Sequence, residues 1–530
     1  MSNYRILDCT LRDGGYINDF NFGYFTVKDI IEKLTFSNVD IIECGFLKSG
    51  ANDVDKTLYG SVESIQDYIY PKKENVLYVA MIAYGDISYE EISVCDGTSI
   101  DGIRLTFHQS QIDEAFELGK SLMEKKYKVF MQPVGTTSYN NEQLVDLVKR
   151  VNELHPYAFY MVDTLGIMFK EDLLSMFELI DSNLSKDICL GFHSHNNLQL
   201  SFANALELLR LDTERNLIID SSVFGMGRGA GNLCTELIMR SMNNYCGDNY
   251  DVVPILEIFD EHINKILLNY KWGYSLPYCV ASLNGCHPNY ATHLINKQTI
   301  SIKDINKILA SMDEGKRDIF DKDYIEQLYI NFQKYSIDDS EVIGKVKEDL
   351  AGRNVVVIAP GKSIVEYEAE IIRYCKEHDS VIFSVNFVTD FIKSDYMFIS
   401  NQKRFKNFKT LKNVSGKYGR LIITSNLKDY DFKEDLIINY SDYLSDNSVI
   451  SDNAGLILLR FLSKAGVDAV QLAGFDGFGK NSLENYYNMD FTNSTEFESL
   501  IEKTNAISEE LKRLSLNMKI NFITVSRYQV

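Results

Sequence analysis

Short apolar runs alternate with amphipathic segments from Tyr4 to Phe224. The apolar runs are rich in β-branched or aromatic residues and predict eight strands, Tyr4–Cys9, Val39–Cys44, Val76–Ala83, Gly102–Thr106, Lys128–Val134, Phe159–Val162, Ile188–His193 and Leu217–Phe224. The segments between them predict helices at Thr26–Leu34, Gln111–Lys125, Asn141–Leu154, Lys170–Asp181 and Leu200–Leu211. This alternation predicts parallel βα units, and the strand number favours a closed (β/α)8 barrel over an open doubly wound sheet.

After the eighth strand, the apolar residues recur only at the three- to four-residue spacing that is typical of helices. Helices are predicted at Leu233–Cys246, Pro254–Leu268, Leu283–Gln298, Ile302–Met312 and Asp323–Tyr335, with an irregular stretch around Trp272. We interpret them as a helical appendage to the barrel. The charged segment Asp338–Arg353 is expected to be a junction.

A second strand–helix pattern begins at Val355. Further strands are predicted at Ser380–Asn386, Tyr396–Ser400, Leu421–Ser425, Leu436–Asn439 and Ala469–Gly474, with a helix at Ala454–Ala465. We therefore predict an α/β protein in three parts: a TIM-barrel catalytic domain at 1–285, a helical appendage and junction at 286–348, and a Rossmann-like domain at 349–530.

Composition and charge exclude several classes of protein. The 530 residues are 45% hydrophobic and 24% charged, an ordinary globular mixture. The formal net charge of −21 gives no general attraction to nucleic acids or anionic lipids. No apolar run is long enough to span a membrane, the N-terminus lacks a signal-peptide layout, and the nine cysteines are scattered. We expect a cytoplasmic protein without nucleic-acid or membrane partners.

Two sequence segments carry candidate metal ligands at predicted strand ends. In GFHSHNN at 191–197, His193 and His195 are two residues apart, so they project from the same face of a strand. In LDCTLRDGG at 7–15, Asp13 offers an anionic ligand and Arg12 offers donors for a carboxylate or an enolate oxygen. The alternatives are histidines that pack by chance and an Arg–Asp ion pair at a barrel rim.

A glycine-rich segment, GMGRGAGN at 225–232, follows the eighth strand. Its glycines allow the backbone to approach a ligand closely. Although it superficially matches a dinucleotide fingerprint, it follows the last strand of the series and not the first. We interpret it as a loop on the phosphate or metal side of a site, with Asn232 as a neutral oxygen ligand.

These segments, together with IIECG at 41–45, resemble the motifs of the DRE-TIM metallolyase superfamily over about residues 1–300. The superfamily includes 4-hydroxy-2-oxovalerate aldolase, hydroxymethylglutaryl-CoA lyase, and the isopropylmalate and homocitrate synthases. The pyruvate aldolases look most similar, because Gly15-Tyr16 follows the motif where the acyl-CoA synthases usually have Glu-Gln.

The resemblance implies a set of residue roles. Asp13, His193, His195 and Asn232 would hold a divalent metal, most simply Mn²⁺ or Mg²⁺, with Zn²⁺ or Co²⁺ also suitable. Arg12 would stabilise an enolate, Glu43 would orient Arg12, and Asp163-Thr164 would line the substrate carboxylate.

One position departs from the aldolase pattern. Those enzymes place an acid/base histidine three residues after the aspartate, where this chain has Tyr16. A phenol with a pKa of ~10 is a poor base at neutral pH, so either Tyr16 donates a proton or another residue serves. Tyr290 is the preferred second candidate, ahead of His287 and His293; the alternative is that these residues only pack the appendage.

The predicted function is a metal-dependent carbon–carbon lyase that joins or cleaves a 2-oxo acid and an aldehyde through a pyruvate-like enolate. The alternatives are a Claisen-type acyl-CoA enzyme and a non-catalytic binding protein that keeps the barrel. By analogy with barrel enzymes of this kind, we expect a homodimer.

In the second α/β pattern, APGKS at 359–363, SVN at 384–386 and LAGFDG at 472–477 resemble sialyltransferase-like and flagellin-modifying glycosyltransferase-like domains. The resemblance implies a nucleotide or nucleotide-sugar site at Gly361, Ser363 and Asn386, and a role in surface-glycan or capsule synthesis. APGKS departs from the Gly-x-Gly-Pro-Ser pattern of that family, which puts transferase activity in doubt. The alternative is a Rossmann-like domain for assembly or substrate handling.

Overall fold

The computed structural model describes residues 4–247, 249–410, 416–427, 436–447, 449–479, 485–488 and 497–528. The chain divides into two compact units. The first is Met1–Asn289 with Glu314–Ile319, and the second is Tyr290–Asp313 with Phe320–Val530. The three-part division predicted at 285 and 348 stays a prediction.

A closed parallel barrel forms the centre of the first unit, which confirms the predicted TIM barrel. Its described strands are β1 Tyr4–Asp8, β2 Ile41–Leu47, β3 Leu58–Tyr59, β4 Leu77–Ala83, β5 Gly102–Phe107, β6 Lys128–Pro133, β7 Ala158–Asp163, β8 Cys189–Ser194 and β9 Leu217–Ser221. They pair in the order β1-β9-β8-β7-β6-β5-β4-β2, and β1 closes the barrel on β2 with Leu7 opposite Ile41. The short strand β3, which we did not predict, adds to β2 only.

Helices follow the strands as in a βα barrel. They are α1 Tyr24–Phe36, α2 Gln66–Ile69, α3 Ile112–Glu124, α4 Asn141–Leu154, α5 Lys170–Asn183, α6 Ser201–Leu209, α7 Thr235–Cys246, α8 Val253–Ile258, α9 Asn264–Asn269, α10 Leu276–Leu283 and α11 Pro288–Asn296. In α4 the Asn140 side chain accepts from the backbone of Gln143, a capping box that fixes the start of the helix. Its apolar residues at helical spacing, Leu144, Leu147, Val148 and Val151, are buried.

The inward faces of the barrel strands change from apolar to polar along their length. Ile41, Phe130 and Ile218 belong to one buried apolar cluster. Two residues further along the same strands come Glu43, Gln132 and Asp220, which are also buried. Because residues two apart on a strand share a face, the polar set forms a layer above the apolar one.

The second unit contains an open parallel sheet. Its strands are β10 Val355–Ile358, β11 Val381–Val385, β12 Ser394–Ile399, β13 Tyr418–Thr424, β14 Leu436–Ile438, β15 Ala469–Ala473 and β16 Lys519–Phe522, in the order β14-β13-β12-β11-β10-β15-β16. Its further helices are α12 Ile302–Ala310, α13 Lys322–Gln333, α14 Ser340–Leu350, α15 Ser363–Glu366, α16 Glu368–Glu377, α17 Gln402–Thr410, α18 Ala454–Lys464 and α19 Phe497–Ser515. The strand order reverses at β10, which lies between β11 and β15. The predicted second α/β domain is confirmed as a parallel sheet, to which β16 adds a strand that we did not predict.

Two boundaries predicted from the sequence are wrong, and a third predicted segment contains a helix that we did not predict. The helix expected at Leu283–Gln298 is interrupted, because Gly285 has φ +57° and Pro288 starts a new helix. The expected junction Asp338–Arg353 contains α14, whose Val346 and Leu350 are buried. The eighth barrel strand ends at Ser221, not at Phe224.

Candidate metal centre

The candidate ligands come from the turn after β1 and from the end of β8. The backbone N–H groups of Arg12 and Asp13 both donate to the carbonyl of Cys9, at 3.1 and 2.8 Å, and this tight turn points the chain back over the strand ends. His193 lies within β8 and His195 follows it by two residues, so both rings face the same side. All three side chains are buried.

The three side chains are close enough to share one cation. One ligand atom from each of Asp13, His193 and His195 lies within 4.8 Å of the others. Nδ1 of His195 is 4.0 Å from Oδ2 of Asp13. Two atoms bound to one ion at about 2.1 Å are about 3.0 to 3.6 Å apart at bond angles of about 90° to 120°, so shifts of roughly 0.5 to 1.5 Å would bring the three ligand atoms onto one ion.

The glycine-rich loop after β9 brings Asn232 to the same place. Its Nδ2 donates to Oδ2 of Asp13 at 2.6 Å, and its backbone forms an antiparallel bridge with His195. A Cβ atom on Gly227 would lie 2.3 Å from Nδ2 of Asn232 and 2.6 Å from Oδ2 of Asp13. A side chain at position 227 would therefore fill the space beside the carboxylate.

The donor set fits a divalent metal. Nδ1 of His195 and Oδ1 of Asn232 are buried and have no hydrogen-bond partner in the described part of the chain. Burial lowers the pKa of His195 to about 3, which keeps the imidazole in the neutral form that binds metals. Burial alone would raise the pKa of Asp13, but the positive charge of Arg12 holds it well below its usual range.

A chain of buried ion pairs extends from the ligands into the barrel. Arg12 donates to Asp13 at 2.6 Å and to Glu43 at 2.8 Å. Arg104 donates to Glu43 at 2.7 Å and also to Asp220. His193 Nδ1 lies 3.0 Å from Asp220 Oδ2.

The charges of this ion-pair network are nearly balanced. Its two arginines, Arg12 and Arg104, face three carboxylates, those of Asp13, Glu43 and Asp220. A third arginine, Arg228, is close enough for its charge to lower the pKa of Asp13. The carboxylate and the two imidazoles therefore fit a metal through their donor atoms and not through an excess of negative charge.

Comparisons with known proteins place the first unit in a family. Residues 3–258 match the HMGL-like family. This part of the chain is an HMGL-like domain. The HMGL-like domain is similar to the oxaloacetate decarboxylase of Mycobacterium tuberculosis (strain ATCC 25618 / H37Rv), with 24% identity over 245 residues, 45% of this chain and 69% of that protein. It is also similar to the 4-hydroxy-2-oxovalerate aldolase of Chloroflexus aurantiacus (strain ATCC 29364 / DSM 637 / Y-400-fl), with 28% identity over 267 residues, 48% of this chain and 72% of that protein.

A solved structure has the same fold. The N-terminal domain of a Bacteroides vulgatus protein described as a candidate aldolase is 25% identical, with a TM-score of 0.50, over 56% of this chain and 98% of that one. The predicted resemblance to DRE-TIM metallolyases is confirmed for the HMGL-like domain. The enzyme class predicted from the sequence, a carbon–carbon lyase, agrees with this family and with the names of the relatives. The resemblance expected for the second unit stays a prediction.

Two predicted catalytic residues of the HMGL-like domain, Arg12 and Glu43, lie beside the candidate metal ligands. Arg12 and Glu43 form the ion pair described above. Tyr16 is 43% exposed, and the guanidinium carbon of Arg228 lies 4.4 Å from the centre of its ring. The pKa of Tyr16 is raised, because desolvation outweighs the nearby charge of Arg228.

The carboxylate of Asp163 accepts hydrogen bonds from the backbone of the loop that follows β7. Its carboxylate accepts from the backbone N–H groups of Ile167 and Met168, each at 3.0 Å, and so holds the loop after β7. Burial raises the pKa of Asp163 to about 6. Thr164 accepts from the backbone of Gly135 at 2.9 Å. Their predicted contact with a substrate carboxylate stays a prediction.

The remaining predicted site residues belong to the second unit. Tyr290 is fully buried, its hydroxyl accepts from the backbone of Asp321 at 3.0 Å, and its ring packs on Phe320. Gly361 and Asn386 line a cavity in that unit. Ser363 starts α15, where Asp476 binds it.

Sequence reasoning missed three charged residues of the site. Arg104 and Asp220 are charged residues inside otherwise apolar strands, GIRLTF and LIIDS, and this was the available signal. Arg228 lies inside the glycine-rich segment that we had interpreted as a loop beside the site. All three are hard to assign from one sequence because their partners are far away along the chain.

Proposed function

We propose that the HMGL-like domain is a divalent-metal-dependent aldolase that joins a 2-oxo acid to an aldehyde, or cleaves the product, through an enolate. The observation that carries this proposal is the convergence of Asp13, His193 and His195 beside the guanidinium of Arg12. A metal bound there would act as a Lewis acid for the carbonyl and carboxylate oxygens of the 2-oxo acid.

Arg12 supplies the second element of enolate stabilisation. Its Nε and Nη1 are held by Glu43 and Asp13, so the orientation of the guanidinium is fixed. Its Nη2 is buried and has no hydrogen-bond partner among the described residues. A preorganised donor of this kind would bind the oxygen on which negative charge develops.

Tyr16 supplies a proton in this proposal. Because its pKa is raised, the phenol stays protonated at neutral pH and acts as a donor, not as a base. In the joining direction a C3–H bond of the 2-oxo acid breaks and its proton passes to water. The enolate carbon then attacks the aldehyde carbonyl carbon, a carbon–carbon bond forms, and the new alkoxide takes the proton of Tyr16. The partly exposed phenol recovers a proton from water. Cleavage uses the same groups in reverse.

Exchange of the methyl protons of pyruvate tests this proposal without knowledge of the aldehyde. In D₂O, NMR is expected to report exchange that requires Mn²⁺ or Mg²⁺ and is lost in His193→Ala. The matched control is His262→Ala, since His262 belongs to a surface cluster with Asp29 and Glu261 that also groups a histidine with acids. Absence of exchange with every divalent metal, or equal loss in His262→Ala, contradicts the proposal.

Product analysis separates the aldolase from its alternatives. Pyruvate with a panel of aldehydes is expected to give adducts with the summed mass by mass spectrometry. Thiol release from an acyl-CoA in the presence of a 2-oxo acid would instead indicate the Claisen-type reaction. Tight metal binding without either reaction would favour a non-catalytic protein.

We extend the proposal to the whole chain. The second unit would bind a nucleotide-linked sugar, and the chain would serve surface-glycan synthesis in the cytoplasm as a homodimer. The support is the open parallel sheet, whose order reverses at β10, and the absence of any disulfide among the nine cysteines, all of which are described. Within the described ranges, no helix is both long enough and apolar enough to cross a membrane. A rise in melting temperature on addition of a nucleotide tests whether the second unit binds that ligand. The molar mass measured by light scattering tests separately whether the protein is a dimer.

A further inference from the structure

The second unit contains a cavity of about 230 Å³ at the carboxyl ends of its central strands. Gly361 after β10 and Gly474 after β15 line it, as does Asn386 after β11. The sheet order reverses between β10 and β15, whose loops meet where the N–H of Gly361 donates to the carbonyl of Gly474 at 3.1 Å. In open parallel sheets, ligands bind outside the carboxyl ends of the strands at such a reversal.

A cation without a partner faces this cavity. Lys503 of α19 lines the cavity and is mostly buried. Its ammonium forms no ion pair or hydrogen bond within the described ranges. Burial lowers the pKa of Lys503, the negative charge of Asp452 offsets part of that lowering, and the positive charge of Lys297 on the same cavity adds to it. Holding an ammonium in this state costs free energy that a bound anion would recover.

The carboxylates on the cavity wall are already engaged. Asp452 accepts from the hydroxyl of Tyr329 at 2.6 Å. Asp476 accepts from the backbone N–H of Ser363 at 2.8 Å and also from its hydroxyl. The backbone donor expected to bind a phosphate at Ser363 is therefore occupied by a carboxylate of the same chain. An anion would be attracted mainly to the ammonium of Lys503, which has the carboxylate of Asp452 nearby.

A third cation and aromatic rings complete the lining. Arg404 of α17 lines the cavity together with Lys503 of α19 and with Lys297, which follows α11 and is paired with Glu326 at 2.7 Å. Tyr486 and Phe478 also line it, with ring centres 6.3 Å apart. Three cations against the carboxylates of Asp452 and Asp476 leave the lining with a net positive charge, which suits an anionic group that spans more than one cation. The aromatic rings suit a flat or cyclic portion of the same ligand.

We propose that this cavity binds a diphosphate-bearing ligand, with the diphosphate against Lys503 and Lys297 and the attached ring against Tyr486. The proposal rests on the proposed function of the second unit and specifies where the ligand would bind and which side chains would contact it. It moves the anion site away from the segment Gly361–Ser363 that the sequence indicated.

Calorimetric titration of the full-length protein with UDP, ADP and inorganic pyrophosphate tests this site. At least one nucleoside diphosphate is expected to bind, and Lys503→Met is expected to weaken its binding about tenfold or more. Lys503→Arg should retain most of the affinity. The control is Lys512→Met, because Lys512 is exposed on the same helix. The unliganded melting temperature of Lys503→Met should not fall, since the substitution removes an unpaired buried charge.

The outcomes separate this inference from the broader proposal. If a nucleoside diphosphate binds and Lys503→Met leaves its affinity unchanged, the proposed location of the site is wrong, whereas the proposed class of ligand stands. No binding of any of the three probes overturns both. Equal affinity for pyrophosphate and for both nucleoside diphosphates overturns the contact with Tyr486. None of these results depends on pyruvate exchange, which reports on the HMGL-like domain alone.

Discussion

Oδ2 of Asp220 lies 3.0 Å from Nδ1 of His193, and the same oxygen accepts from Arg104. An ionised carboxylate can only accept, so the proton of His193 belongs on Nδ1 and the lone pair on Nε2. Arg104 also donates to Glu43, which holds Arg12. One buried guanidinium thus connects the orientation of a candidate metal ligand with the orientation of the candidate enolate-binding arginine.

Asp220→Asn tests this connection. The amide oxygen can still accept from both partners, but it carries no charge, so its hydrogen bonds to Arg104 and His193 are weaker than those of the carboxylate. We expect the affinity for Mn²⁺ to fall about 10- to 100-fold, measured by calorimetry. The matched control is Asp187→Asn, which alters an exposed Asp–His pair with His155 and should leave the affinity unchanged. Unchanged affinity in Asp220→Asn would mean that His193 needs no orienting partner.

Gly227→Ala tests the space beside Asp13 without removal of a ligand. The added Cβ would lie 2.6 Å from Oδ2 of Asp13, closer than van der Waals contact allows. We expect weaker metal binding and a stability loss of about 1–3 kcal/mol in urea unfolding. Gly344→Ala in α14 meets nothing within 4 Å and should stabilise the protein by about 0.5–1 kcal/mol. Normal metal binding by Gly227→Ala would contradict the close packing described here.

Substitutions of Tyr16 test its role as proton donor. Tyr16→Phe removes the hydroxyl and is expected to lower kcat for aldol formation by about 10²- to 10⁴-fold, with KM little changed. Pyruvate methyl exchange should persist, because enolate formation does not use this proton. Tyr16→His should recover activity, with a pH profile that follows an imidazole. Full activity of Tyr16→Phe would transfer the role to another residue.

The carboxyl of Asp8 makes stability depend on pH. Burial raises its pKa to about 6, although it accepts from Thr235 and Thr10. A raised pKa means that the folded state binds the proton more tightly, so stability falls as pH rises from about 4 to 6. Two pKa units correspond to roughly 3 kcal/mol. Asp8→Asn should flatten that part of the urea-unfolding profile, whereas Asp146→Asn at an exposed site should not. A profile unchanged by Asp8→Asn contradicts the assigned pKa.

The strand pattern of the first unit was predictable because alternation of apolar strands with amphipathic helices is a local property. The histidine pair was predictable as well, since a spacing of two residues on a strand decides that both rings share a face. The predicted end of a helix was wrong where a single residue with positive φ, Gly285, interrupts the helix. The helix α14 was not predicted because most of its residues are charged or polar and only a narrow face is buried.

The sequence by itself determined the barrel, the second parallel sheet and the residue types found at the strand ends. The spacing of apolar residues and the chemistry of each side chain are properties of short sequence segments, so they can be read without knowledge of the tertiary structure. Only the tertiary structure decided that Arg104 joins Glu43 to Asp220, and that Asp476 takes the donor of Ser363. Those partners lie between 61 and 116 residues apart along the chain. Closure of the barrel and convergence of the β10 and β15 loops bring them together, and no local pattern encodes such a meeting.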